Sequence, residues 1–205
     1  LSVPGQWYLA HLELQSGGVI GGSIPGIPLI LTGRSDRLGW ATTASFADDQ
    51  DIYMEQLDPA RSDYYKTPTG FRRFSTRASI INIKDQKPVT ITLRATTHGP
   101  VFSQTQLNLA SVTPKGFVPA LAWTGFNAKD KTFSAKFELM QAQNIDQALA
   151  ALEPQITPSE NIIMVDQTRI VQKTVGAVPR RKTAHQTQGR MPSLGHLSEN
   201  QWRGF

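Results

Sequence analysis

The sequence of 205 residues lacks cysteine, long apolar runs and low-complexity tracts. Without cysteine, the chain forms no disulfides and offers no thiolate metal ligands. No apolar stretch approaches the roughly 18 residues that a membrane-spanning helix requires. Its hydrophobic share of 39% and charged share of 18% are typical of a folded globular chain, so the composition excludes bulk disorder.

A concentrated basic face is also missing. The net charge of +5 comes from 21 basic and 16 acidic residues that are scattered along the chain, and the densest basic patch is the short run 180–182. Proteins that bind nucleic acids usually combine a basic stripe with aromatic stacking positions, so we expect no nucleic-acid partner. The four histidines show no metal-ligand spacing; they are His11, His98, His185 and His196.

Strand signals dominate the pattern that is present. Short apolar or alternating runs, bounded by Gly and Pro, predict strands at residues 7–14, 29–31, 38–43, 90–97 and 120–124 and a hairpin from 162–165 and 170–175. One helix is predicted from Asp146 to Leu152, because Asn144 or Asp146 can cap its first turn and Pro154 ends it. The pattern indicates an α+β chain that is mostly sheet.

Four motifs then identify a resemblance. They are PGQWYLAHLE from Pro4, SIPGIPLILTG from Ser23, GRSDRLGWATTASFADDQD from Gly33 and TTHGPV from Thr96. In this order they resemble the β-chain core of the penicillin acylase family, which includes penicillin, cephalosporin and acyl-homoserine-lactone acylases. The resemblance runs from Pro4 to Gly204. It implies the β-rich part of the αββα four-layer sandwich of N-terminal-nucleophile (Ntn) hydrolases, as a single partial domain over residues 1–205.

The resemblance also implies a nucleophile that this chain does not show. Enzymes of the family attack with a serine at the N-terminus of the β-chain, whose free α-amine activates the hydroxyl. Here the chain begins with Leu1, and Ser2 lies within a peptide. We therefore expect an inactive fragment that needs the α-chain and the remaining β-chain segments of its precursor, in a bacterial periplasm.

Two oxyanion donors and an arginine follow from the resemblance. The family motif places the backbone N–H of Ala44 and the side-chain amide of Asn161 at the oxyanion. An amide suits that role because it is neutral and donates without titrating. Arg181, in VPRR, matches an arginine that orients the catalytic groups or holds a leaving group. Arg180 is the alternative if the match shifts by one residue.

The resemblance further implies a structural calcium ion. Three carboxylates, Asp48, Asp49 and Asp51, fall within four positions, and such crowding of like charges needs a compensating cation or basic group. Side chains of Asp48 and Asp51 with the backbone carbonyl of Gln50 can supply part of a calcium shell. A solvated acidic turn is the alternative, since the spacing is not that of an EF-hand.

The acyl pocket of the family is apolar, and motif matching places Leu31, Thr42 and Phe46 at its wall. Burial of apolar surface at about 25 cal/mol per Å² drives recognition of such acyl groups. The alternative for these three residues is plain core packing.

The functional expectation is an amidohydrolase that cleaves the amide between an acyl group and an amine, such as a β-lactam nucleus, without an organic cofactor. One alternative keeps the enzyme class with acyl-homoserine lactones or lipopeptides as substrates. The other is a non-catalytic β module stabilised by calcium.

Overall fold

The structure is a computed structural model that describes residues 5–103 and 106–205, so the expectations about Leu1 and Ser2 fall outside the described residues. The strands are β1 (Tyr8–Leu14), β2 (Gly17–Ser23), β3 (Thr32–Arg34), β4 (Gly39–Ala44), β5 (Gln50–Gln56), β6 (Tyr64–Thr67), β7 (Gly70–Arg73), β8 (Ser75–Ile81), β9 (Val89–Ala95), β10 (Phe117–Trp123), β11 (Glu160–Val165), β12 (Ile170–Val175) and β13 (Ser193–Leu194). The helices are α1 (Thr132–Gln141) and α2 (Ile145–Leu152), with 3-10 turns at Gln106–Ser111, Thr124–Phe126 and Ser198–Asn200. The α+β prediction is confirmed.

The chain divides into two compact units. Unit 1 contains the described residues up to Ala47 and Asn127–Val178, and unit 2 contains Asp48–Phe126 and Pro179–Phe205. The single partial domain stays a prediction. Within the part of the chain that the structure describes, no helix is long and apolar enough to cross a membrane.

Unit 1 is a six-stranded antiparallel sheet with both α-helices on one face. The strand order is β1-β2-β3-β4-β11-β12. Alternate residues of a strand point to opposite faces, and β11 follows this rule most clearly, with Ile162 and Met164 buried and Ile163 and Val165 exposed. The buried face carries Trp40, Ile162 and Met164, and it packs against helix residues that include Leu139, Ile145 and Leu152. The opposite face of β11 and β12 is exposed.

The helix α2 begins at Ile145, one residue before the predicted start, and ends at Leu152 as predicted. The Asn144 side chain accepts a hydrogen bond of 2.9 Å from the backbone N–H of Gln147, which satisfies one of the free donors of the first turn. Asp166, in the β11–β12 turn, accepts a second from Ile145 at 3.1 Å. Both caps hold α2 against the sheet.

The predicted strand at residues 29–31 is wrong. Leu29 and Ile30 are buried in a loop, and β3 begins only at Thr32. The reason is that side chains occupy the backbone groups of Ile30: its N–H donates to Met140 Sδ at 3.2 Å, and its carbonyl accepts from Trp40 Nε1 at 3.1 Å. A segment whose backbone is satisfied in this way does not enter the sheet ladder.

Unit 2 is built on a three-stranded sheet of order β10-β5-β13 with two hairpins, β6–β7 and β8–β9. His98, from the TTHGPV motif, joins this sheet to the C-terminal segment. Its Nδ1 lies 2.6 Å from Glu55 Oε1 and its Nε2 lies 2.8 Å from Gln201 Oε1. Its ring stacks on Tyr53 with centroids 3.8 Å apart. These contacts connect β5 to the end of the chain.

Candidate active site

The two predicted oxyanion donors lie on neighbouring strands of unit 1. In the antiparallel pair of β4 and β11, Asn161 stands opposite Thr43, and Ala44 stands opposite Glu160. Ala44 and Asn161 are therefore one register step apart. The structure brings together two residues that are more than a hundred positions apart in the sequence.

The backbone N–H of Ala44 points away from β11. Ser45 donates its N–H to the carbonyl of Ser159 at 3.2 Å, so Ser45 forms a hydrogen-bonded pair with β11. In an antiparallel ladder such pairs alternate, so the N–H of Ala44 faces the other side of β4. On that side, among the described residues, β3 pairs with β4 only at Gly39 and Trp40. Ala44 is an exposed residue, and its N–H points to the side of β4 that no described strand pairs with beyond Trp40.

The side chain of Asn161 lies on the exposed face of the sheet. Its neighbour Ile162 is fully buried, so by alternation Asn161 points to the face opposite the helices. Thr174 lies directly across on β12, and its hydroxyl donates to Asn161 Oδ1 at 2.7 Å. The amide oxygen is thereby engaged, and within the part of the chain that the structure describes the Nδ2 group makes no hydrogen bond.

A buried ion pair supports the start of β11 from the opposite face. Lys136, on α1, donates to Glu160 Oε2, and Gln155 donates to the same oxygen at 3.0 Å. Lys136 is buried, and a buried charge requires a partner of this kind. Because Glu160 precedes Asn161 and stands opposite Ala44, the pair holds the backbone of both candidate donors.

The three predicted pocket residues lie in unit 1 in different surroundings. Leu31 packs against the core cluster, and Thr42 stands opposite Ile162 on the helix-covered side. Phe46 is 94% exposed and has a φ of 53°. A positive φ is uncommon for an aromatic residue. Of the three, Phe46 is the side chain that a ligand can cover, and the pocket assignment stays a prediction.

Arg181 lies in unit 2, bound to the acidic cluster. Its Nε and Nη2 each lie 3.0 Å from a carboxylate oxygen of Asp51, and Nη2 also lies 3.1 Å from Asp48 Oδ2. Burial pushes the pKa of Arg181 down, but the hydrogen bonds to Asp51 and the charges of Asp51 and Asp48 outweigh it and raise the pKa. The guanidinium is the basic group that compensates the crowded carboxylates.

The same contacts test the fit of calcium. Both oxygens of Asp51 are occupied by Arg181, and one of them also accepts from Trp202 Nε1. No group of three or more His, Cys, Asp or Glu within the described ranges is arranged to hold a metal. As placed, Asp48, Gln50 and Asp51 do not form a calcium shell while Arg181 is bound to them. Calcium at this loop stays a sequence-based prediction, and the ion pair of Arg181 with Asp51 argues against it.

The sequence reasoning missed Thr174, Lys136 and Trp202. One of the three had a usable signal: the predicted hairpin from 162–165 and 170–175, extended in register, sets Thr174 opposite Asn161. Lys136 and Trp202 had none, because their partners are distant in sequence.

Comparisons with known proteins agree with the motifs. The sequence model of one family, described as Penicillin amidase, matches residues 1–205. Acyl-homoserine lactone acylase QuiP of Pseudomonas aeruginosa is 28% identical over 210 residues, covering 100% of this chain and 24% of that protein. Penicillin G acylase of Escherichia coli is 24% identical over 178 residues, covering 87% of this chain and 20% of that protein. The chain thus spans about a quarter of the length of the curated relatives it matches.

A solved structure matches the fold. A thermostable penicillin G acylase from Alcaligenes faecalis superposes with a TM-score of 0.83 at 23% identity, covering 98% of this chain and 35% of that chain. The match shows that this chain shares the α+β fold of that part of the acylase.

Proposed function

The chain belongs to the Penicillin amidase family, and on that premise we propose that it carries the oxyanion-binding strands of an N-terminal-serine amidohydrolase. The observation that carries the proposal is the register of β4 and β11, which sets the Ala44 N–H and the Asn161 amide one step apart. A backbone N–H and a side-chain amide are neutral donors, and a pair of them suits the oxyanion of a tetrahedral intermediate.

The proposed reaction cleaves the amide between an acyl group and an amine. The hydroxyl oxygen of the N-terminal serine attacks the carbonyl carbon, and its proton passes to the serine's own α-amine. The carbonyl oxygen, now negative, accepts hydrogen bonds from the Ala44 N–H and from Asn161 Nδ2. The C–N bond then breaks, the amine leaves with the transferred proton, and water hydrolyses the acyl-enzyme to release the acid.

The proposed substrate is a small acyl amide, with a β-lactam nucleus as its amine. An acyl-homoserine lactone is the second candidate substrate, because the acyl-homoserine lactone acylase QuiP aligns with the whole chain. The exposed ring of Phe46 supports an apolar acyl site, since covering an apolar surface with an acyl group removes it from water, which is favourable. Leu31 and Thr42 were predicted for the same wall, but Leu31 packs against the core cluster and Thr42 lies on the helix-covered face, so the acyl site is proposed at Phe46.

Further parts of the proposal concern assembly. The α-chain and further β-chain segments come from the same self-cleaved precursor, and the enzyme works in the bacterial periplasm. The exposed apolar residues Leu9 and Ile163, at 87% and 49%, support a covering partner on unit 1. Arg181 is proposed to assist orientation from its ion pair with Asp51.

The test uses the protein expressed from its complete reading frame. Intact-mass and N-terminal analysis should find two chains, the second beginning with serine. Hydrolysis of penicillin G and of acyl-homoserine lactones of several chain lengths then ranks the substrates. Asn161→Ala should lower kcat by about 10²–10³-fold, as expected for loss of one oxyanion donor. Gln172→Ala, an exposed amide on β12, is the matched control and should leave kcat unchanged.

The outcomes separate the candidates. A processed enzyme that hydrolyses acyl amides and loses activity with Asn161→Ala supports the proposal. A single uncut chain without hydrolysis of any substrate would favour the non-catalytic β module. Full activity in Asn161→Ala would remove Asn161 from the oxyanion site.

A further inference from the structure

Thr174 makes the one hydrogen bond that the Asn161 side chain has within the described residues. The Thr174 hydroxyl donates to Asn161 Oδ1 at 2.7 Å, a normal length for an O–H donor. Asn161 on β11 and Thr174 on β12 are direct register partners. The contact is therefore a cross-strand pair that the sheet itself sets.

The ladder geometry favours a close approach of these two side chains. Asp166 donates its N–H to the carbonyl of Arg169 at 3.1 Å at the end of the hairpin. Hydrogen-bonded pairs alternate from there, so Asn161 and Thr174 form a non-hydrogen-bonded pair. In such a pair the Cα atoms are about 4.5 Å apart, about 1 Å closer than in the alternative, so the side chains meet.

The other side of Asn161 offers no equivalent contact. Thr43, its partner on β4, belongs to a hydrogen-bonded pair, in which side chains are further apart. Within the described residues the hydroxyl of Thr43 makes no bond to Asn161. Asn161 thus lies between two threonines on one exposed row, and it is bonded to only one of them.

The bond fixes the oxygen of the Asn161 amide and leaves its NH₂ group available to donate to a ligand. Oδ1 accepts from the hydroxyl, so the acceptor of Asn161 faces β12 and both Nδ2 donors face away from Thr174. Threonine suits this task because its branched Cβ restricts χ1, so the hydroxyl keeps its direction in a strand. Asn161 and Thr174 are exposed or half-buried, where a single hydrogen bond adds little to stability. The contact is better suited to orient a donor than to stabilise the fold.

We propose that Thr174 is a positioning residue, which turns the Nδ2 donors of Asn161 towards the oxyanion of the substrate. The inference rests on the proposed function. Thr174 itself touches no reacting atom. Its removal leaves the amide of Asn161 free to rotate, and preorganised donors stabilise a transition state better than mobile ones.

The experiment compares threonine variants in the full-length processed enzyme. Thr174→Val should lower kcat for one acyl amide by about tenfold, a part of the loss caused by deleting Asn161, with KM within about twofold. Thr174→Ser keeps the hydroxyl and should restore most of kcat. Thr43→Val is the matched control on the same row and should leave kcat unchanged. Melting temperatures of all variants establish that each is folded.

A double-mutant cycle tests whether Thr174 acts on kcat through Asn161. Thr174→Val added to Asn161→Ala should cause no further loss of kcat, because the group that Thr174 positions is already absent. Additive losses, equal losses in Thr43→Val and Thr174→Val, or no rescue by serine would each overturn the inference. If Asn161→Ala lowers kcat and Thr174→Val does not, the inference fails alone. If Asn161→Ala is fully active, the proposed function fails as well.

Discussion

Arg181 binds both carboxylate oxygens of Asp51, with N–O distances of 3.0 Å on each arm. The side chain of Arg181 is only 9% exposed and the side chain of Asp51 only 2%. Trp202 Nε1 donates a further hydrogen bond to Asp51 Oδ2. This two-point ion pair gives the acidic cluster its counter-charge and connects β5 to the C-terminal segment of unit 2. Two sequence predictions, an orienting arginine and a calcium loop, therefore concern one contact.

The first prediction concerns the shape of this pair. Arg181→Lys keeps the charge but loses the planar two-point contact, so we expect the unfolding free energy of the full-length protein to fall by about 1–3 kcal/mol. Arg180→Lys, at the exposed neighbour, should change it by less than about 0.5 kcal/mol. Urea denaturation followed by tryptophan fluorescence measures both. Equal effects of the two variants would contradict a special role for Arg181.

The second prediction concerns calcium. Because Arg181 occupies the oxygens of Asp51, we expect neither calcium nor EDTA to shift the melting temperature of the wild-type protein through this loop. Arg181→Gln frees two crowded carboxylates, and calcium should raise its melting temperature because hard oxygen ligands favour this ion. Adding Asp51→Asn to Arg181→Gln should abolish the rise. A wild-type protein destabilised by EDTA, with the effect lost in Asp51→Asn, would show that calcium binds beside Arg181.

The third prediction concerns the ion pair beneath the candidate oxyanion strands. Lys136→Met leaves the half-buried carboxylate of Glu160 without a cation, so stability should fall by about 3 kcal/mol. Replacing both partners, as Lys136→Met with Glu160→Gln, should recover a large part of this loss because no uncompensated charge remains. Lys129→Met, at an exposed lysine, is the control. A double variant as unstable as Lys136→Met alone would contradict the explanation.

The fourth prediction concerns pH. Asp166 accepts hydrogen bonds from the Thr168 hydroxyl, from the N–H of Thr168 and from the N–H of Ile145, and these bonds lower its pKa well below the usual range. A carboxyl with a lowered folded pKa contributes stability that is complete above the unfolded value of about 3.9 and is lost as the pH falls through the folded value.

The corresponding variant is Asp166→Asn. Its melting temperature should lie below that of the wild type by a constant amount between about pH 7 and pH 5, and the gap should narrow as the pH drops below about 4. Thermal melts over that pH series measure the gap. A difference that stays constant down to pH 3 would show that the charge of Asp166 does not contribute.

Local signals predicted α2 and the β11–β12 hairpin because their determinants are close in sequence. Asn144 caps α2 as its residue type indicates, and the apolar runs on both sides of the turn at residues 166–169 pair as the predicted hairpin. The helix α1 was missed because its pattern is inverted: Phe133 and Phe137 are exposed, while Lys136 is buried against Glu160. Periodicity alone reads such a segment incorrectly.

By itself, the sequence determined the α+β class, the family motifs and the residue types of the two candidate oxyanion donors, because these depend on local patterns and on the order of the motifs. The tertiary structure decided which groups meet. Arg181 and Asp51 are 130 positions apart in the sequence. The segment around Ile30 stays outside the sheet because the Ile30 N–H donates a hydrogen bond to Met140, which is 110 positions later. The direction of the Ala44 N–H and the hold of Thr174 on Asn161 depend on strand order and ladder alternation. Both properties depend on strand pairing, because the pairing register decides which residues are opposite each other and which neighbouring strand each backbone N–H faces.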